Sequence, residues 1–390
     1  MTSKNRSAVA LISSRLKEKQ PLIQVIVGPR QVGKSTAVRA AMDREGIYET
    51  ADSPTPLPYT VIEEWWKKAQ QHPDHILIID EIQKISGWSE VVKRLWDKSI
   101  IEGPKIKLIV TGSSALLVEK GLREILTGRF ELIKMEHWNF KEAKEIFSMP
   151  LETFIEWGAY PGAVPFLNDT ERWGNYVRES IVEPALGRDL LQLHPVEHPS
   201  LLRQIFGVSV SIPSQVISLQ KLQGQLQGRG SLPTIQTYLQ LLTSAFLITG
   251  LEKYSPSSFR VKKSSPKLII HDNGLIRAFE RPIQQKITPQ RFGLYFENCI
   301  GARFIEAGWT VYYWKDRNVD VDFVVEGPQR ERWAIEVKSS KTEKSELNGL
   351  FQFCHLYKDF KPCLISLVNQ DIEGVTSLDT HKILSLSKKY

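Results

Sequence analysis

The chain has 390 residues, 42% of them hydrophobic and 24% charged, with a formal net charge of +7 and a pI near 9.1. That length exceeds what one hydrophobic core usually organises, so two or three domains are expected, and the composition is ordinary for a soluble globular protein. No apolar run approaches the ~18 residues of a membrane span, and the first residues lack the core of a signal peptide. Three cysteines, Cys299, Cys354 and Cys363, show no paired metal spacing, which fits a reducing cytoplasm and argues against a disulfide framework.

The first ~145 residues alternate short apolar runs (Ile23–Val27, Ile76–Ile79, Leu108–Val110, Phe130–Ile133) with longer amphipathic stretches. Buried parallel strands flanked by helices read this way, so an α/β domain is expected over 1–145. Residues 146–280 are mainly helical at first, with a Gly/Ser/Pro turn at Gly228–Pro233 between helices over Ile217–Gln227 and Thr234–Leu247, and become β-rich after 246. Over 281–390 the order is a helix holding Phe296–Ile305, strands at Trp309–Trp314, Val319–Val325 and Trp333–Val337, a helix near Glu343–His355 and a strand near Pro362–Val368. That order describes a smaller, second α/β domain.

The strand ending at Val27 runs into Gly28-Pro29-Arg30-Gln31-Val32-Gly33-Lys34-Ser35-Thr36, the phosphate-loop pattern. Glycines let backbone N–H groups face phosphates at a helix N-terminus; Lys34 is placed to reach the β/γ-phosphates of ATP and Ser35 to ligate Mg²⁺. Ile76–Ile79 ends in Asp80-Glu81. Asp80 is the expected partner of Mg²⁺, and Glu81 the expected base for the attacking water. A third run ends in Thr111-Gly112-Ser113-Ser114, where Ser113 is the preferred γ-phosphate sensor over Thr111. Arg129, just before the fourth run, is a candidate arginine finger acting on a neighbouring subunit.

GPRQVGKST, IIDEIQ, TGSS and then GRF before a strand resemble the AAA+-type branch of P-loop ATPases. More narrowly, they resemble a large bacterial and archaeal family whose C-terminal region joins a winged-helix-like segment to a restriction-endonuclease-like fold. GAYPGAVP at Gly158–Pro165, Arg188-Asp189-Leu190 and His271-Asp272-Asn273-Gly274-Leu275 extend the likeness along the chain. GAYPGAVP departs from the family's usual Gly-Gly-Phe-Pro-Glu, so any role of that glutamate lapses here. The resemblance implies an ATPase assembled as a homo-oligomer, with a ring as one form.

Lys253, Arg260, Lys262, Lys263 and Lys267 fall within fifteen residues that hold no acid, with Tyr254 and Phe259 between them. Such a stretch suits a wing lying along DNA phosphates. Further on, Glu336-Val337-Lys338 ends a strand, where positions two apart share a face, and Asp320-Val321-Asp322 repeats that period. Glu142-Ala143-Lys144 is the same kind of triplet without partners. With Glu297 upstream, Asp322, Glu336 and Lys338 resemble the PD-(D/E)xK nuclease set. That likeness implies Mg²⁺ or Mn²⁺ on Asp322 and Glu336, water orientation by Lys338 and a supporting Glu297, with Asp320 as the alternative ligand. His271 and Asp272 read as a hydrogen-bonded turn, and Trp65, Trp66, Trp88 and Trp96 as core or interface. The expected activity is an Mg²⁺-dependent ATPase coupled to DNA binding and cleavage. The alternative is an ATP-gated DNA- or protein-binding switch with an inactive nuclease-like domain.

Overall fold

The computed structural model describes residues 6–19, 22–42, 46–112, 125–193, 196–228, 230–256 and 264–388. The chain divides into two compact units, Met1–Glu136 with Gln192–Pro195, and His137–Leu191 with Val196–Tyr390. Apart from Gln192–Pro195, the stretches 146–280 and 281–390, distinct in sequence character, fall in one unit, and the main segment of the first unit ends nine residues before the expected 145.

In the first unit, β1 (Ile23–Val27), β2 (Ile47–Thr50), β3 (Ile76–Asp80), β4 (Lys107–Gly112) and β5 (Phe130–Lys134) form one sheet in the order β2-β3-β4-β1-β5. Every pairing is parallel. β1 and the first four residues of β3 are buried throughout, as strands covered on both faces must be. Ile12 of the helix Ser7–Leu16, Ala37 and Val38 of the helix Lys34–Met42, and Ile26, Ile78, Ile109 and Ile133 of the sheet share one core. Trp65, Trp66, Trp88 and Trp96 are buried. Because the strands are parallel, the C-terminal ends of β1, β3 and β4 lie together at one edge, where open α/β sheets place their ligands.

The second unit begins with the helix Phe140–Phe147, closed by a capping box between Asn139 and Glu142. Glu142 therefore serves helix initiation, which disposes of the decoy triplet. Helices Pro199–Ser211, Leu219–Gly224 and Leu232–Ser244 follow; Ser218 and Ser231 cap the latter two, which end three residues before the expected Gln227 and Leu247. An antiparallel ribbon of β6 (Ile248–Leu251) and β7 (Lys267–Ile270) comes next. After the helix Pro289–Glu306, the strands β8 (Thr310–Asp316), β9 (Val319–Glu326), β10 (Arg332–Lys338), β11 (Lys361–Ser366) and β12 (Thr376–Leu378) make a sheet in the order β12-β11-β10-β9-β8. β8, β9 and β10 pair antiparallel, and β10, β11 and β12 pair parallel. Trp314, Val324, Leu350 and Phe353 centre its core. Among the described residues no helix is long and apolar enough to cross a membrane.

Candidate functional site

The predicted phosphate loop leaves β1 and enters the helix Lys34–Met42 as expected. Gly28 is required sterically, since an added Cβ would overlap the Met135 carbonyl, and Gly33 sits at φ +90°, a conformation that L side chains avoid. Gln31 is also left-handed, at φ 64°. Lys34 is buried, and its ammonium donates to the Gly28 and Pro29 carbonyls at 2.9 and 2.8 Å. Arg6, which sequence reasoning missed, braces the loop from behind. It is buried and donates to the Val32 carbonyl at 2.8 Å and the Glu136 carbonyl at 2.9 Å. No motif marks a single arginine more than twenty residues away, so nothing in the sequence singled it out.

Ser35 donates to Asp80 Oδ2 at 2.8 Å, so the two residues expected to share a magnesium ion are adjacent. Tyr48 of β2 donates to the same oxygen at 2.6 Å, and Thr111 donates to Oδ1. Burial, followed by the bond to Asp80, pushes the Tyr48 hydroxyl up to about 12. The chemistry fits a magnesium site: a carboxylate and a serine hydroxyl are hard oxygen donors. Thr111 thus buttresses the carboxylate, and Ser113 lies outside the described residues. Glu81 holds a left-handed backbone, φ 54° and ψ 39°, and accepts a hydrogen bond from Gln83 at 2.5 Å. A non-glycine residue kept in that region costs about 1–3 kcal/mol and is commonest at functional positions. Arg129 is held in a fork by Asp97, at 2.7 Å through Nε and 2.9 Å through a terminal nitrogen.

In the second unit the helix Pro289–Glu306 carries Glu297, β9 carries Asp322, and β10 carries Glu336 and Lys338. Lys338 donates to Glu336 Oε1 at 2.9 Å, and Asp322 Oδ2 accepts from the Val337 amide at 2.9 Å. Glu336 Oε2 is buried with no hydrogen-bond partner among the described residues. Burial and then the Asp322 charge push the Glu336 carboxyl up to about 8, against the pull of Lys338. The same two causes push Glu297 up to about 7, against Lys267. An orphaned carboxylate oxygen beside a second carboxylate fits a hard divalent cation. Asp320, the alternative ligand, is two-thirds exposed and faces Lys315 at 3.7 Å.

Lys267 is not on an exposed wing, which corrects the reading of it as a DNA contact. It is buried, with Nζ 2.5 Å from Glu297 Oε1 and 3.8 Å from Asp322 Oδ1. Tyr254, expected between the basic residues, packs instead against Tyr312, Phe353, Tyr357 and Phe360. Lys253 forms an isolated bridge with Tyr313. Arg260, Lys262 and Lys263 lie outside the described residues.

The 158–165 and 271–275 motifs meet. Asp272 accepts hydrogen bonds from the Ala159 amide at 3.1 Å and the Gly274 amide at 2.7 Å, and a Cβ on Gly158 would overlap its carboxylate. His271 and His137 both face Glu306 Oε1, at 3.4 and 2.6 Å, and Arg303 takes Oε2 at 2.6 Å. Their remaining ring nitrogens face Thr249 and Tyr160 at 2.8 and 3.0 Å, so this buried network is satisfied internally. Cys299, Cys354 and Cys363 are free thiols.

Residues 20–144 match the AAA domain family, and residues 150–286 and 292–388 match two domains of unknown function, DUF8612 and DUF4143. An uncharacterised protein of Haemophilus influenzae is 25% identical over 327 residues, 77% of this chain and 79% of its own length. One from Methanocaldococcus jannaschii is 23% identical over 294 residues, 69% of this chain and 62% of its own. The Holliday junction branch migration motor RuvB of Thermotoga maritima aligns at 16% identity over 65% of this chain and 91% of its own, with a TM-score of 0.32. Residues 20–144 are therefore an AAA domain, of the P-loop ATPase kind.

Proposed function

We propose that the chain is an Mg²⁺-dependent ATP hydrolase coupled to DNA binding, with a PD-(D/E)xK nuclease site at Glu297, Asp322, Glu336 and Lys338. The 2.8 Å bond from Ser35 to Asp80 carries the ATPase half, because it joins the loop to the acidic strand tip. Lys34 exchanges the Gly28 and Pro29 carbonyls for the β/γ-phosphates, and the loop amides receive the remaining charge. Glu81 orients the attacking water and takes its proton. Magnesium, when bound by Ser35 and Asp80, supplies neutralisation of the phosphate oxygens. Arg129, once released from Asp97, completes a neighbouring subunit's site in a homo-oligomer.

For the nuclease half, the support is the side-by-side placement of Glu336 and Lys338 on β10 facing Asp322 on β9. A divalent ion on Asp322 and Glu336 supplies charge at the scissile phosphate and a more acidic water. Lys338 orients that water and offsets the developing charge. Lys253, Arg260, Lys262 and Lys263 are the candidate partners of DNA phosphates. Replacing the last three by alanine should reduce the slope of log affinity against log salt by about 0.9 for each phosphate that is no longer neutralised.

The test is incubation of the purified protein with Mg²⁺ or Mn²⁺ and labelled linear, branched and single-stranded DNA. Cleavage is expected, and its survival unchanged in Asp322→Ala and Lys338→Ala would remove the nuclease assignment. The seating of Lys267 among the acids favours a second reading, an ATP-gated switch that grips DNA without cutting. Nucleotide-dependent DNA affinity with no cut product, unaffected by Glu336→Gln, would select it.

A further inference from the structure

The acidic site holds a fixed cation that belongs to the chain itself. Lys267 begins β7, where its backbone pairs with Leu251, and it also bridges Val216, so secondary structure fixes its origin. Its stem runs to a buried ammonium 4.5 Å from the centre of the Phe323 ring. There it meets Glu297 Oε1 at 2.5 Å, the Asp322 carbonyl at 2.9 Å and Asp322 Oδ1 at 3.8 Å. An ammonium has three donors, and these three oxygens surround it. A lysine is almost never buried unless paired, and among the described residues this one pairs with members of the acidic site and the backbone beside them.

We infer that Lys267 takes the place of a second metal ion, so that the site binds one divalent cation, on Asp322 and Glu336, rather than two. This rests on the reading of Asp322 and Glu336 as metal ligands.

Three observations carry it. First, the carboxylate oxygens of Glu297, Asp322 and Glu336 do not converge. Among the described residues the His/Cys/Asp/Glu group whose ligand atoms all lie within 4.8 Å of one another is His137, His271 and Glu306. One ion therefore cannot take all three acids as they stand, and Glu297 is already engaged by Lys267. Second, among the described residues Glu336 Oε2 has no hydrogen-bond partner, while Lys338 occupies Oε1 of the same carboxylate. Asp322 Oδ1 is the other loosely held oxygen, since Oδ2 accepts from Val337. Third, the charges balance with one ion. Three ionised carboxylates and two ammoniums leave one negative charge. One divalent ion turns that into one positive charge, which a single phosphodiester neutralises. A second divalent ion leaves two uncompensated positive charges in a mostly buried pocket, an arrangement that proteins avoid.

The experiment measures Mn²⁺ binding to the full-length, nucleotide-free protein by equilibrium dialysis and electron paramagnetic resonance, with Asp322→Asn defining the ions bound at this site. Wild type should bind one such Mn²⁺ with the spectrum of an isolated ion. Lys267→Met frees Glu297 and Asp322 and should bind two, with the broadening of a neighbouring pair. Lys267→Met/Glu297→Gln should return to one. Glu297→Gln alone keeps Lys267 and guards against misfolding of the methionine variant. It should retain its single Mn²⁺. Two Mn²⁺ in wild type, one in Lys267→Met, or Mn²⁺ lost from Glu297→Gln would each overturn the inference while leaving a metal site in place. No Mn²⁺ sensitive to Asp322→Asn in any variant would overturn the metal-ligand reading beneath it.

Discussion

Three hydroxyls, from Ser35, Tyr48 and Thr111, converge on the carboxylate of Asp80. Two of them, Tyr48 and Thr111, come from other strands of the same sheet. Tyr48→Phe removes a bond to a charged group, which is worth about 1.5–3 kcal/mol. Urea unfolding of the free protein should show a loss of that order, and the loss should shrink with saturating Mg²⁺ and ADP. Equal losses with and without ligand would mean that Tyr48 only supports the fold. Gly28→Ala makes a sharper prediction, because its methyl group has no room beside the Met135 carbonyl. Nucleotide affinity should fall at least tenfold by calorimetric titration, with the far-ultraviolet spectrum of the fold retained.

At the scale of strands, β10 carries Glu336 in a buried position and β9 carries Asp322 beside it. Glu336 and Glu297 have folded-state values raised to about 8 and about 7. A raised carboxyl holds its proton more tightly in the folded than in the unfolded chain. The stability it contributes is therefore present below the unfolded value near 4.5 and is lost as pH rises through 7 and 8. Stability of the second unit should decline from pH 5 to pH 8. Glu336→Gln should flatten that decline, and Mn²⁺ at pH 8 should reverse it in wild type. A decline of the same steepness in Glu336→Gln would assign it to other groups.

The period of two that brought Glu336, Lys338 and Asp322 together was legible in the sequence because side-chain direction on a strand is a local property. β1, β3, β4 and β5 were legible as apolar runs for a similar reason. β2 was not, since Ile47–Thr50 is only partly buried and at the edge of its sheet. Lys267 was misplaced because charge density alone suggested a solvent-facing stretch. Its position depends on β7 pairing with β6 and on a helix and a strand remote in sequence. Tyr254 misled in the same way, its partners being about sixty to a hundred residues further on. The 158–165 and 271–275 motifs could be seen, but that they clasp each other could not.

For the whole chain, two compact units imply two unfolding transitions by calorimetry. ADP at a hundredfold its dissociation constant should stabilise the first unit by about 2.7 kcal/mol and leave the second unchanged. Glu306→Ala strands Arg303 in the interior of the second unit. It should destabilise that unit's transition alone, by about 3–5 kcal/mol. A single transition shifted by both perturbations would show that the units unfold as one. Arg129 belongs to this scale as well. Inactive Lys34→Ala and Arg129→Ala proteins, mixed, should regain ATPase activity if the finger acts across subunits, and their continued inactivity would confine Arg129 to its own chain.

Lys34 has a practical bearing on how such proteins are disabled for experiments. Its side chain forms a strut between two carbonyls of the turn that precedes it. Deleting it should therefore slacken the turn as well as remove the proposed phosphate contact, so that any phenotype of that allele would mix an unfilled pocket with a deformed one. Glu81→Gln leaves that strut in place, so on the proposed role of Glu81 it should report on turnover alone.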